Sequence, residues 1–105
     1  MKRGEVRWYK FKPPDKKRPV LILTRTSAIE YLGELTVAPI TSTIRDIPSE
    51  ALLTKDDGMS KECAVNLDHV QTVSISKIGA KITELAPNKM SDVTHAISFA
   101  LELSL

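Results

Sequence analysis

The sequence predicts a mainly β protein, a small curled sheet closed by one C-terminal helix. Most of the chain is cut by close-spaced turns into short stretches rich in β-branched and aromatic residues, the pattern of a compact antiparallel barrel or sandwich. The apolar period becomes helical only in the last 18 residues. With 105 residues there is material for one hydrophobic core, so residues 1–105 read as a single domain.

The elements follow in order. Gly4–Phe11 alternates loosely, with Val6, Trp8 and Lys10 on one side and Arg7, Tyr9 and Phe11 on the other, and its aromatic content argues a strand. Lys12–Arg18, containing Pro13-Pro14-Asp15, is a basic loop. Pro19 opens the apolar run Val20–Thr24, which reads as a buried central strand. Glu34–Ile40 is the next strand, and Pro39, having no N–H, is expected at its end or at a bulge. Thr41–Ile47 is a polar loop carrying Arg45. Ala51–Leu53, Cys63–Leu67, Val70–Ser76 and Ala80–Glu84 are further short strands, with a turn at Asp56-Asp57-Gly58. From Asn88 to Leu103 the residues Met90, Val93, Ala96, Ile97, Ala100, Leu101 and Leu103 keep helical spacing, with Pro87 and Asn88 as start signals and Asp92 suited to the dipole. With Phe99 the apolar face covers about half the wheel. That is more than one sheet face needs, and it points to a second partner surface such as a dimer mate.

The composition is 42% hydrophobic and 27% charged, that of an ordinary globular domain. The longest apolar run, Val20–Leu23, is far short of the roughly 18 residues of a membrane span. The charged N-terminus is followed by no apolar signal core, and the single Cys63 forms neither an intrachain disulfide nor a metal site alone. A cytoplasmic, non-membrane protein is expected. The net charge of +2 is unevenly spread: residues 1–18 hold eight Lys/Arg against two acids, and the rest seven against eleven. Basic charge so concentrated favours a polyanionic partner through counterion release, or else keeps a strand edge soluble.

Motifs for metal or phosphate-loop chemistry are missing. His69 and His95 fall in different elements with no third ligand at metal spacing, so no metal and no cofactor is expected. Cys63, beside Ala64 and Val65, reads as a buried small residue. What remains is Arg18, at the seam between the basic loop and the buried strand, with Thr41 and Ser42 just past the strand ending at Ile40. A guanidinium grips a phosphate with two N–H groups and stabilises charge growing on its oxygens, and hydroxyls on a second rigid element can reach the same phosphate.

Five blocks of the chain resemble, in order, a known family. Arg3-Gly4-Glu5-Val6 followed by Trp8 looks like the opening strand of the MazF/PemK-type toxins. Arg18-Pro19-Val20-Leu21-Ile22-Leu23 is similar to their Arg-Pro-Val strand, and Val37-Ala38-Pro39-Ile40-Thr41-Ser42 to their Pro-Ile-Thr-Ser block. Asp68 to Val73, with Thr72, and the closing Met90…Leu103 helix continue the likeness. The resemblance implies an SH3-like barrel of the CcdB/MazF/PemK type, assembled as a homodimer. It implies the toxin of a type II toxin–antitoxin system: a metal-independent endoribonuclease that cleaves single-stranded RNA (mRNA) at preferred sequences to 2′,3′-cyclic phosphate and 5′-OH ends. A cognate antitoxin protein would neutralise it, and the complex of the two would bind DNA.

By that resemblance Arg18 and Thr41 are the catalytic pair, with Ser42 and Asp68 as support. Arg18 stabilises the pentacovalent phosphate and Thr41 bonds one of its oxygens; Asp68 is a general base or merely closes a strand turn. Lys16, Lys17, Arg7, Trp8, Arg45 and Asn66 are the expected RNA-binding residues, Trp8 as a stacking face or as a core or dimer residue. The chain departs from the family in its short Pro13–Lys17 loop, which lacks the Gly-x-Glu segment and the histidine of some members. Asn66 stands where some members carry an arginine, Gln71 replaces the frequent arginine before Thr72, and the acid for the 5′-oxygen is left without a residue. Two other readings of the same fold are a CcdB-like gyrase-inhibiting toxin and a non-catalytic RNA-binding barrel.

Overall fold

The computed structural model describes residues 1–14 and 16–103. Asp15, counted above in the basic loop, lies outside the described residues, as do the last two positions of the expected single domain. Seven strands and two helices follow in the order β1 (Glu5–Lys10), β2 (Lys17–Ile22), α1 (Thr26–Ile29), β3 (Glu34–Thr41), β4 (Glu50–Leu53), β5 (Cys63–Asn66), β6 (Gln71–Ser74), β7 (Ile78–Glu84) and α2 (Pro87–Ala100). Single 3₁₀ turns sit at Lys55–Asp57, Leu67–His69 and Ile75–Lys77. All pairings are antiparallel, in the spatial order β4-β5-β3-β2-β1-β7, and β6 also pairs with β3. The mainly β fold with a C-terminal helix is the expected one.

β3 organises the sheet. Along one edge it meets β2, while the other is divided between β6, through Glu34–Val37, and β5, through Ile40 and Thr41. Pro39 therefore lies inside an eight-residue strand, not at its end or a bulge. It is tolerated because it falls between the β6-paired stretch and the β5-paired residues, where no ladder bond is lost. Irregular register between β1 and β7 on both sides of Arg7 curls the sheet.

Two buried clusters explain the long apolar runs of β2 and β3. Leu21, Ala38 and Ile40 face one cluster with Val6, Leu53, Val65, Leu67, Val93 and Ala96. Val20, Ile22, Leu35 and Val37 face the other with Tyr9, Ile29 and Val73. Both strands are buried on both faces, so neither alternates. Tyr9 and Phe11 meet edge to face, 4.7 Å between ring centroids. α1, a single helical turn that no apolar periodicity announces, supplies Ala28 and Ile29.

The turn after β4 is a built joint. Thr54 caps the Lys55–Asp57 turn by accepting from the Asp56 N–H, and its own N–H donates to Asp57 Oδ2 at 2.9 Å. Gly58 then takes φ +93°, and Thr83 Oγ1 of β7 donates to Asp57 O at 3.0 Å. Lys89 joins this turn to α2, donating to Leu52 O at 3.0 Å beside Asp57 and Asp92.

α2 starts at Pro87, as the start signals require, but stops at Ala100, short of Leu103. Glu102 enters the left-handed region at φ +56°; its N–H bonds Phe99 O and that of Leu103 bonds Ser98 O. These two bonds close the helix as a Schellman motif, with Glu where glycine is usual. Val93 and Ala96 are buried, whereas Phe99, Leu101 and Leu103 are exposed by half or more. Among the described residues no helix is long and apolar enough to cross a membrane.

Candidate active site

Arg18 is the second residue of β2 and Thr41 the last of β3. The β2–β3 pairing runs to Val20 and Pro39, and Arg18 and Thr41 each lie two residues beyond that pair on their own strand. The residues inward of this pair are buried on both faces, so the strand ends are held firmly while the side chains reach the surface.

Arg18, Ile40, Thr41 and Thr43 form a wall common to two adjoining cavities. The first, of about 310 Å³, is completed by Phe11, Pro39, Arg45, Glu50, Asn66 and His69. The second, of about 390 Å³, is completed by Trp8, Pro19, Ser42, Met59, Ser60, Lys61 and Cys63. Thr41 Oγ1 accepts the Thr43 N–H at 3.0 Å, which leaves its own hydroxyl proton free to donate to a bound group. On the same wall, the Arg18 guanidinium offers donors only. One donor from each strand is the arrangement that receives an anionic phosphate between them.

The other expected residues divide. Ser42 and Trp8 line the second cavity, and Arg45 and Asn66 the first. Trp8 is half-buried and belongs to neither buried cluster, with Lys17 Nζ 5.3 Å from its ring centroid. Lys16 is exposed and lines neither cavity.

Arg7 and Asp68 stand apart from the cavities for clear reasons. Arg7 donates to Glu5 Oε1 at 2.8 Å and to Gly79 O at 3.0 Å, which ties it into the β1–β7 seam as a structural cation. Asp68 Oδ2 accepts from Ser49 Oγ at 2.6 Å and its N–H donates to Asn66 Oδ1, so its carboxylate closes the turn after β5.

Two site groups escaped the sequence reading, Glu50 and His69. Glu50 Oε1 accepts the N–H groups of Arg45 and Asp46 at 3.0 and 3.1 Å, holding the loop that brings Arg45 to the cavity. Cross-strand pairing of Glu50 with Asn66 brings this carboxylate to the cavity where His69 also stands. Burial pushes the Cys63 thiol up, Lys61 opposing and Asp57 adding, so the thiol that lines the second cavity stays protonated.

Residues 2–101 match the family described as "PemK-like, MazF-like toxin of type II toxin-antitoxin system". The chain belongs to this toxin family. Among relatives of this PemK/MazF-like chain, the probable endoribonuclease MazF5 of Mycobacterium tuberculosis is 37% identical over 97% of the chain and 94% of the relative. Endoribonuclease MazF3 of the same organism is 36% identical, over 85% of the chain and 86% of the relative. The solved structure of the Mycobacterium tuberculosis toxin MazF-mt6 superposes with a TM-score of 0.89 at 32% identity, covering 96% of this chain and 99% of that one. An endoribonuclease in complex with its cognate antitoxin, from a mycobacterial species, has a TM-score of 0.88 at 23% identity, a likeness of fold, over 100% of this chain and 98% of that one. The barrel expected of the PemK/MazF-like fold is thus the one this chain adopts.

Proposed function

We propose that this chain is the toxin of a type II toxin–antitoxin pair, an endoribonuclease that cuts single-stranded RNA, mRNA included, without a metal. The observation that carries the reading is that Arg18 and Thr41, from the ends of two neighbouring strands, share a wall common to two cavities. A phosphodiester on that wall has one flanking nucleoside for each cavity. The nucleophile is the substrate's own 2′-OH, so no metal-activated water is required. The 2′-oxygen attacks phosphorus in line, the bond to the 5′-oxygen breaks, and a 2′,3′-cyclic phosphate and a 5′-OH remain. Arg18 stabilises the charge that grows on the non-bridging oxygens, and the Thr41 hydroxyl donates a hydrogen bond to one of them. Because guanidinium keeps its proton at any ordinary pH, stabilisation is its role.

Ser42 extends the donor set on the side of the second cavity, Trp8 offers a base its half-buried face, and Lys16, Lys17, Arg45 and Asn66 hold the flanking strand. Cut-site selectivity then resides in the cavity walls. The chain works as a cytoplasmic homodimer, joined through the exposed apolar end of α2. A cognate antitoxin meets the basic N-terminal surface, and the complex of the two binds DNA.

The test is a long single-stranded RNA incubated with the protein in EDTA, with fragment ends mapped. Wild type makes discrete cuts ending in 2′,3′-cyclic phosphate; Arg18→Ala removes them and Thr41→Val slows them by about 10²-fold, the scale of one lost transition-state donor. Intact RNA with the wild type overturns the reading, and poisoning of gyrase instead would place the chain with the CcdB-like toxins.

A further inference from the structure

Cleavage by this route moves two protons, one off the 2′-OH and one onto the 5′-oxygen, and neither Arg18 nor Thr41 delivers the second. Arginine does not give up its proton, and a threonine hydroxyl is too weak an acid. His69 stands in the first cavity with Arg18 and Thr41. We propose that His69 is the general acid that protonates the departing 5′-oxygen, an inference that rests on the ribonuclease reading above.

Its mounting is rigid although the ring is exposed. His69 ends the 3₁₀ turn Leu67–His69, and Leu67 is fully buried. The Leu67 N–H donates to Ser49 O at 3.0 Å, the buried Ser49 hydroxyl to Asp68 Oδ2 at 2.6 Å, and the Asp68 N–H to Asn66 Oδ1 at 3.0 Å. Three tethers on so short a turn are what a side chain delivering a proton to one defined atom needs. Imidazole is also the side chain that gives and takes a proton near neutrality. The charged groups around it are Arg18 from β2, Arg45 from the following loop, Glu50 from β4 and Asp68 from its own turn, two of each sign.

The proton balance is complete. The 2′-OH gives its proton to solvent water as its oxygen bonds phosphorus. The bond from phosphorus to the 5′-oxygen breaks with its electron pair on oxygen, and imidazolium Nε2–H or Nδ1–H transfers its proton there. Neutral His69 then regains a proton from solvent before the next turnover.

The experiment compares His69→Ala and His69→Gln with wild type on two substrates in EDTA, ordinary RNA and the same RNA with sulfur replacing the scissile 5′-oxygen. A thiolate leaves without a proton. The variants should lose about 10²–10⁴-fold on ordinary RNA, the contribution of a general acid, and no more than about tenfold on the sulfur-linked RNA. The descending alkaline limb of the wild-type kcat/KM profile should be absent from both variants. Equal losses on the two substrates would overturn the assignment, since a positioning or RNA-binding role is blind to the leaving atom. Undiminished cleavage by His69→Ala would overturn it as well, leaving the ribonuclease reading intact. A wild type that cuts neither RNA removes both.

Discussion

At the scale of single residues, the chain separates anchoring charge from working charge. Glu5 is nearly buried, yet its carboxyl is held below the usual carboxylate range: burial opposes the charged form, and the Arg7 hydrogen bond and positive charge outweigh it, with the Lys2 backbone and the N-terminal amino group adding. The sign follows from that direction. A depressed folded-state pKa contributes stability that is fully present above the unfolded value, near 4.5, and is lost as pH falls through the lower folded value. Glu5→Gln should therefore cost about 1–3 kcal/mol at neutral pH, and the gap to wild type should close on acidification. Urea melts at a series of pH values check it; parallel curves down to the acid limb would show that Glu5 contributes no charge-dependent stability. Arg7 is spent in the same seam. Arg18, on the next strand, enters none of the ion pairs found among the described residues.

At the scale of elements, the joint between β4 and β5 is the point where a small change has a large effect. Gly58 combines a positive φ with a position where a methyl group would overlap the Thr83 side chain. Gly58→Ala should cost at least about 2 kcal/mol, the left-handed penalty plus displacement of Thr83, and lower the melting temperature by roughly 10 °C. A scanning-calorimetry midpoint within 2 °C or so of wild type would mean that the joint yields freely. What was legible in the sequence divides along the same elements. β2 and β3 were readable because burial on both faces leaves an unbroken apolar run, and α2 because its period differs from everything before it. Arg18 and Thr41 could be singled out together through the blocks that carry them, and both line the same two cavities. α1 was not, since one helical turn has no period to detect. Glu50 and His69 were invisible because a β4–β5 pairing and a tethered turn assemble them, and no local spacing encodes either. Arg7 differs: Glu5, two positions away on the same strand, already takes its charge, while its second acceptor, Gly79 O, comes from 72 positions away.

At the scale of the molecule, α2 carries an apolar end that this chain's own core does not use. Phe99, Leu101 and Leu103, in and just after the last turn of the helix, are 61%, 54% and 51% exposed. Light scattering should give a mass near twice the chain's 11.6 kDa, and Phe99→Glu with Leu103→Glu should halve it without changing the far-ultraviolet circular dichroism. A wild type that stays monomeric at high micromolar concentration would refute the homodimer. The wall of Arg18 and Thr41 has a wider consequence. The stretches that complete the cavity on one side, around Arg45, Glu50 and His69, are distinct from those on the other, around Trp8 and Met59–Lys61. On the function proposed above, the cutting edge is fixed in the strands, and each flank of the cut would be read by its own interchangeable jaw. A lineage could then re-address its target on one flank by changing a few positions of that jaw, while the blade and the opposite jaw keep their shape.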